Sequence, residues 1–247
     1  MSTNNLSDAL DNLVDANLIL FNEGVLDAFG HVSVRSPVDP DRFFLARNMA
    51  PGLVTKDDLI EFDMHGEVAD GDTRKVYLER FIHSEIYKSR SDVMAIVHSH
   101  SPSVVPFSVS KTTPLKPVCH MSGFIGTNVP IFEIREFAGD ATSLLITDKY
   151  LGESLSSTLS HDTLVLMRGH GSTVVAPSLK QAVYRAIYVE VNAKLQAEAM
   201  KLGAVEYLSV GETQTTQQVI EGQVERPWAL WRARAKKAQQ EWINLYE

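Results

Sequence analysis

The sequence lacks the features that mark several large classes of protein. Cys119 is the single cysteine among 247 residues, so no disulfide can form within the chain and a reducing compartment is expected. The apolar runs are far shorter than the roughly 18–20 residues of a membrane-spanning helix, and no basic segment followed by an apolar core opens the chain. We therefore expect a cytoplasmic protein that has no membrane partner.

Positive charge is also scarce. The chain has 23 Lys and Arg against 31 Asp and Glu, a formal net charge of −8, which does not favour a nucleic-acid partner. The apolar fraction of 44% and the charged fraction of 22% are ordinary for a globular protein. The length fits one large domain or two small ones, and no internal repeats or low-complexity segments are present.

The most informative stretch is a strand that ends in two histidines. Val93 and Ala95–Val97 are apolar, and the sequence then runs through His98 and His100 to Pro102. Because successive side chains on a strand point to opposite faces, His98 and His100 share one face and could bind one transition metal. Taken alone, the pair could equally be two surface histidines at a strand end.

A third histidine strengthens the metal hypothesis. His170 lies in the run Arg168–Gly171, which directly follows the apolar segment Thr163–Met167. Three neutral imidazoles leave an open coordination position, as catalytic rather than structural metal sites do. Since the chain has one cysteine, a thiolate site is excluded.

The hydrophobic pattern mixes helices with strands without a strict alternation of the two. Such a pattern predicts a mixed-sheet α/β sandwich. The last clear strand is predicted at 163–167, and the tail from 203 is polar until a helix opens at about 227. Predicted helices cover 6–23, 76–89, 141–159 and 179–202, and predicted strands cover 30–35, 42–47, 59–62, 93–100, 129–132 and 163–167.

Several of these motifs, in this order and spacing, resemble the class II aldolase/adducin family. The matching pieces are Gly30–Arg35, Glu79 four residues before His83, Val97–Pro102, and Arg168–Gly171 followed by a helix with two tyrosines. The resemblance implies one domain over 1–247, folded as an αβα sandwich with a mostly antiparallel central sheet. It also implies a homotetramer with active sites between adjacent subunits, and we expect the tail near Trp228 to pack on a neighbour.

The same resemblance assigns roles to the site residues. It implies one divalent metal ion per subunit, held by His98, His100 and His170, with Glu79 as the acid/base or a further ligand. Zinc, manganese, cobalt and iron are not distinguished. Without the family, Glu79 could be a solvated helix carboxylate paired with Arg80 or His83.

The sequence departs from the family's sugar-phosphate aldolases where those enzymes bind phosphate. Their loop of small residues is replaced by Arg47–Gly52, the asparagine before their strand by His31, and the serines before Glu79 by Tyr77 and Leu78. Arginine matches a planar carboxylate with two parallel hydrogen bonds. A carboxylated small-molecule substrate is therefore predicted, with four candidate substrate-binding residues: Arg47, Asn48, Arg80 and His31.

The runs Tyr77–His83 and Val118–Gly123 are most similar to a non-aldolase branch of the family. Its members are metal-dependent decarboxylases of hydroxylated aromatic or heteroaromatic dicarboxylates, such as a dihydroxyphthalate or a hydroxymethylpyridine dicarboxylate. We predict that reaction in a catabolic role, with Glu79 or His120 supplying the proton. Arg80 could instead pair across a subunit interface, and His120 could be a core histidine.

Two other functions stay open at this point. One is a retro-aldol lyase that acts on a hydroxy or keto acid or a sugar phosphate, in which Glu79 moves the proton. The other is a metal-free, adducin-like interaction module, against which the intact His98, His100, His170 and Glu79 argue.

Overall fold

The structure is a computed structural model that describes residues 3–69 and 71–246. Within this part of the chain the helices are α1 Thr3–Asn22, α2 Arg80–Ser89, α3 Val105–Val109, α4 Arg135–Ala138, α5 Lys149–Leu159, α6 Leu179–Leu202, α7 Val210–Glu221 and α8 Glu225–Tyr246. The strands are β1 His31–Arg35, β2 Arg42–Ala46, β3 Leu59–Asp63, β4 Ala95–Ser99, β5 Ile131–Phe132, β6 Leu164–Met167 and β7 Gly171–Ala176.

The strands form one sheet in the order β3-β2-β1-β4-β7-β6-β5. Every neighbouring pair is antiparallel except β5 and β6, which are parallel. The mostly antiparallel sheet expected from the sequence is therefore confirmed. Strand β4, which leads into the two histidines, lies at the centre with β1 on one side and β7 on the other.

Helices cover both faces of this sheet. Val97 and Val174 point into a core shared with α1, α6 and α8, whereas Ile96 and Val175 point into a second core shared with α2 and α5. The burial of both faces explains why β4 is apolar throughout rather than alternating. The αβα sandwich is thus confirmed, and His98, two residues from Ile96, belongs to the α2 face.

The sequence prediction missed one central strand. Residues 163–167 are not the last strand, because β7 over Gly171–Ala176 pairs with both β4 and β6. All of β7 is buried, so it has no polar alternation to reveal it. A three-residue turn joins β6 to β7, and Gly169 in this turn takes φ +67°, the left-handed conformation that such tight hairpin turns use.

Three helix predictions also need correction. The helix predicted over 141–159 covers only Lys149–Leu159, where the Asp148 side chain caps it by accepting from Leu151 N. The helix predicted over 76–89 begins at Arg80, and Glu79 is its N-cap residue. The polar part of the tail before 227, where no helix was predicted, contains α7, which a Ser209–Glu212 capping box starts.

Helix α8 begins at Glu225, close to the position where the sequence placed a tail helix. Its first two tryptophans, Trp228 and Trp231, are buried in the core of their own chain, and packing of the tail on a neighbour stays a prediction. Trp231 lies 6.5 Å from Tyr184 and 6.2 Å from Tyr188 between ring centroids. Among the described helices, none combines the length and apolar character needed to cross a membrane.

Candidate metal centre

Four side chains from three parts of the chain converge at one end of the central strands. Ligand atoms of Glu79, His98, His100 and His170 all lie within 4.8 Å of one another. His100 Nε2 is 3.1 Å from both His98 Nε2 and His170 Nε2, and Glu79 Oε2 is 3.6 Å from the same atoms of His98 and His170. Nitrogen atoms bound to one ion at roughly 2.1 Å are about 3.1–3.5 Å apart, so this spacing fits one shared cation.

The strands fix two of these histidines. His98 is fully buried on β4, and its Nδ1 lies 3.4 Å from Thr173 Oγ1 on β7. A neighbour at Nδ1 leaves Nε2 free to act as a ligand, the usual arrangement around metal-binding histidines. His100, just beyond the strand, is partly exposed, and its Nδ1 lies 3.9 Å from Asp27 Oδ1.

Close approach of the backbone brings His170 to the other two histidines. A Cβ atom at Gly171 would lie 2.1 Å from the carbonyl oxygen of Ser99, so only glycine lets β7 approach the end of β4 so closely. The preceding turn then directs His170 back over the strand end. Gly30 is similar at the start of β1, with φ +77° and a Cβ position 3.0 Å from the His98 carbonyl oxygen.

Glu79 is held at the start of α2. Its Oε1 accepts a hydrogen bond of 3.0 Å from Ile146 N, which leaves Oε2 directed at the histidines. Burial raises the pKa of Glu79 to about 7, although the Ile146 hydrogen bond opposes this shift. A carboxyl group with a pKa near neutrality can exchange a proton at physiological pH, as an acid/base catalyst must.

Burial acts on the histidines in the opposite direction. It lowers the pKa of His98 well below the usual value, and the neighbouring His170 and His31 add to the effect. It also lowers the pKa of His170 to about 4, with a further contribution from His100. Neutral imidazoles are the form that binds metals. Three neutral nitrogen donors beside one carboxylate are therefore a donor set that fits a divalent transition metal.

The predicted carboxylate-binding loop lies on another side of the site. Arg47 is partly exposed, and its Nε donates to Asp58 Oδ1 at 2.7 Å. The loop connects to the cluster through Tyr77, whose hydroxyl donates to the Met49 carbonyl and whose ring lies 4.7 Å from that of His31. Asn48 is exposed. The substrate-binding roles of Arg47 and Asn48 stay predictions.

Two further predicted residues point elsewhere in this chain. Arg80 Nε donates to the Gly66 carbonyl at 2.6 Å, and its guanidinium carbon lies 4.3 Å from the centre of the Phe81 ring. His120 is exposed at the start of the 3-10 helix His120–Ile125. The contacts of the described residues do not bring either side chain to the cluster, and their substrate and proton-donor roles stay predictions.

His31 lies closer to the cluster than the sequence suggested. Its ring centroid is 5.0 Å from that of His98, and its Nδ1 meets His83 Nε2 at 2.6 Å. Sequence reasoning missed the buried polar group behind it, formed by His83, Ser33 and Tyr87. The i, i+2 spacing on β1 and the i, i+4 spacing on α2 were the signals that could have revealed two facing polar pairs.

The fold and the cluster together describe an α/β protein with a candidate metal centre, and the comparisons give its family. The chain belongs to the class II aldolase/adducin family, because residues 11–197 match the family described as Class II Aldolase and Adducin N-terminal domain.

Named relatives cover most of the chain. It is 40% identical over 236 residues to "Decarboxylase tropJ" of Talaromyces stipitatus, covering 86% of this chain and 88% of that protein. It is 27% identical over 195 residues to "3,4-dihydroxyphthalate decarboxylase" of Arthrobacter keyseri, covering 75% of this chain and 76% of that protein. These relatives confirm the expected enzyme class, a carboxy-lyase.

The fold has a counterpart among solved structures. L-fuculose 1-phosphate aldolase from Glaciozyma antarctica superposes with a TM-score of 0.77 and 25% identity, covering 96% of this chain and 91% of that one. The same fold thus occurs in an aldolase, so the chemistry must be argued from the site.

Proposed function

We propose that the protein is a metal-dependent decarboxylase that removes CO2, without oxidation, from a hydroxylated aromatic or heteroaromatic dicarboxylate. The observation that carries the proposal is the cluster of Glu79 with three neutral histidines, in a chain whose relatives include named decarboxylases. The cluster supplies both a cation site and a carboxyl group whose pKa is near 7.

His98, His100 and His170 would hold the metal, with Glu79 at its edge. When bound, a divalent cation supplies positive charge that stabilises the negative charge developing on a substrate oxygen. Zinc, manganese, cobalt and iron all suit this donor set. An adducin-like, metal-free role would not explain why these four side chains converge.

Glu79 is the proton donor in this proposal. Glu79 gives its proton to the ring carbon that bears the departing carboxylate, the bond between that carbon and the carboxylate then breaks, and CO2 leaves while the electron pair of the bond returns to the ring. Solvent then protonates the Glu79 carboxylate again, so one proton is consumed for each CO2 released. Burial raises the pKa of Glu79 to about 7 before a cation binds, which favours the protonated form that a proton donor needs.

Arg47 would hold the second carboxylate. Among the hydrogen bonds of the described residues, its guanidinium uses only Nε, in the pair with Asp58. The two terminal NH2 groups form the planar end that binds a carboxylate with two parallel hydrogen bonds. Asp58 thereby fixes the orientation of the arginine without occupying this end.

The same loop is poorly suited to phosphate, which argues against the retro-aldol alternative. A phosphate cradle needs several converging backbone N–H groups. Here four of them already donate inside the protein: Arg47 N to Asp58 O, Asn48 N to Lys75 O, Leu53 N to Ala50 O, and Val54 N to Pro51 O. Pro51 has no N–H to offer.

The test is to incubate the metal-loaded protein with dihydroxyphthalate-type diacids and, separately, with fuculose- or rhamnulose-type phosphates. We expect CO2 from at least one diacid and no aldehyde from the sugar phosphates. Clean aldol cleavage without CO2 from any diacid would refute the proposal. A catabolic role for the reaction belongs to the same proposal.

The family's homotetramer, with sites between subunits, is also proposed for this chain, together with a single domain over 1–247. Sites between subunits would explain why Arg80 and the exposed His120 lie apart from the cluster within one chain. Sedimentation at micromolar concentration tests the assembly, and a monomer there would refute it.

A further inference from the structure

A chain of buried polar groups runs from the candidate metal centre into the space between β1 and α2. His31 Nδ1 lies 2.6 Å from His83 Nε2, and His83 Nδ1 lies 2.6 Å from Ser33 Oγ. Ser33 Oγ in turn lies 2.8 Å from the Tyr87 hydroxyl. All four residues are buried, and the mechanism proposed above uses none of them.

Each link in this chain needs one hydrogen, so the hydrogens must all run in one direction. Burial lowers the pKa of His83 to about 3, so its ring is neutral and carries a single N–H. That hydrogen lies either towards His31 or towards Ser33. Either Tyr87 donates to Ser33, Ser33 to His83 and His83 to His31, or every bond is reversed.

The tyrosine end decides the direction. In the reversed arrangement Ser33 donates to Tyr87, whose own hydrogen then needs another acceptor. Among the hydrogen bonds of the described residues, Ser33 is the only partner of the Tyr87 hydroxyl. A buried hydroxyl without an acceptor is costly, whereas donation that begins at Tyr87 leaves only the remaining ring hydrogen of His31, at the end of the chain beside the candidate metal centre, without a partner among these four residues. His83 therefore donates from Nε2, and Nδ1 of His31 accepts.

This direction fixes the tautomer of His31. Because Nδ1 accepts, the single hydrogen of the ring lies on Nε2. His31 pairs with His98 across β1 and β4, so both side chains are on the α2 face, and the rings of Tyr77 and His98 flank that of His31. The Nε2–H is thus the group that His31 has left for a ligand.

We propose that Tyr87, Ser33 and His83 are positioning residues that hold His31 as its Nε2–H tautomer, so that it donates a hydrogen bond to an oxygen of the substrate at the metal centre. The identity of that oxygen, a carboxylate or ring hydroxyl oxygen, rests on the proposed function. A fixed donor aimed at an anionic oxygen needs no reorganisation during the reaction.

The tautomer can be measured directly by ¹⁵N NMR of the zinc-loaded protein with labelled histidine. The Nδ1–H and Nε2–H forms give different nitrogen shifts, and the His31 signals are identified by their loss in His31→Gln. We expect the Nε2–H form in the wild type. An Nδ1–H form would overturn the inference.

Variants of Ser33 test whether the chain holds the tautomer. Ser33→Ala removes the donor to His83 Nδ1, so we expect a mixture of His31 tautomers, while Ser33→Thr keeps the hydroxyl and restores the Nε2–H form. Tyr184→Phe is the matched control, because it removes another buried tyrosine hydroxyl, one that donates to the Met121 carbonyl. An unchanged Nε2–H form in Ser33→Ala would overturn the positioning role.

Turnover gives a second reading. We expect kcat/KM for CO2 release to fall roughly ten- to a hundredfold in Ser33→Ala, the size of one lost hydrogen bond to a charged group, with metal content unchanged and recovery in Ser33→Thr. CO2 release with an Nδ1–H His31 refutes this inference alone. An Nε2–H His31 without CO2 release from any diacid refutes the proposed function and supports the tautomer assignment.

Discussion

The candidate site has two sides that are held in different ways. We call one the histidine side, formed by His98, His100 and His170, and the other the arginine side, formed by the loop over residues 47–54. The histidines lie at the ends of paired central strands, where the Gly171 backbone almost touches that of Ser99. The loop is anchored by the Arg47–Asp58 ion pair, with Arg47 partly exposed. The proposed metal ligands thus rest on the sheet, while the arginine proposed to bind the substrate rests on a loop that can change without disturbing the sheet.

The largest expected effect is on the histidine side. His170→Ala should lower metal affinity by more than about a hundredfold, because it removes a direct ligand where even outer partners are worth ten- to a hundredfold. Metal content by elemental analysis and CO2 release should fall together, with the protein still soluble. His161→Ala, at an exposed turn, is the control. Full stoichiometric metal in His170→Ala would remove His170 from the site.

On the arginine side we expect activity to fall without loss of metal. Arg47→Ala should lower kcat/KM about ten- to a hundredfold, since a charge-assisted hydrogen bond contributes on the order of 1.5–3 kcal/mol, and should leave metal content unchanged. Arg42→Ala, which removes a partly exposed arginine whose Nε lies 3.8 Å from Asp39 Oδ2, is the matched control. Metal loss in Arg47→Ala would show that the two sides are not independent.

Gly171→Ala tests the backbone contact on which the histidine side depends. The added Cβ would lie 2.1 Å from a backbone oxygen that cannot turn away, so the free energy of unfolding should fall by about 3 kcal/mol. Denaturant titration measures this loss, and metal binding should weaken with it. Gly211→Ala, in a helix with nothing within 4 Å, should be neutral or stabilising. Equal stability of the two variants would contradict the contact.

The buried polar chain behind the histidine side predicts a dependence of stability on pH. Burial lowers the pKa of His83 from 6.5 to about 3, so the unfolded chain binds a proton that the folded protein refuses. This contribution is complete above pH 6.5 and is lost as the pH falls towards 3. Between pH 7 and pH 5 the free energy of unfolding should drop by about 2 kcal/mol from this residue. Urea titrations across that range check it, and His83→Gln should reduce the slope; an unchanged slope would refute it.

Much of the histidine side could be predicted from the sequence. Alternation along β4 is a local property, and it placed His98 and His100 on one face before any fold was known. The apolar run before His170 singled out the third histidine, and the family resemblance supplied Glu79, which is distant in sequence from that strand. What local patterns could not show was β7, because a strand buried on both faces has no alternation to read.

The parts that failed depend on contacts across the fold. Ile146 fixes Glu79 from a segment that the sequence assigned to a helix, where Leu144 instead takes a left-handed φ of +68°. A non-glycine residue keeps a left-handed backbone conformation only where the surrounding structure holds it there. Likewise, the contacts of Trp228 and Trp231 with Lys180, Tyr184 and Tyr188 of α6 join segments far apart in sequence, and the polarity of the preceding segment does not predict them.

The central claim is that this site removes CO2 and replaces it with a proton. The most direct measurement is a single incubation of the zinc-loaded protein with a dihydroxyphthalate-type diacid in D2O, followed by mass spectrometry and NMR of the product. We predict one CO2 released and one deuterium on the ring carbon that carried the lost carboxylate, with neither in His170→Ala. Recovery of the diacid unchanged by the metal-loaded protein, alongside cleavage of a sugar phosphate to an aldehyde, would contradict the account.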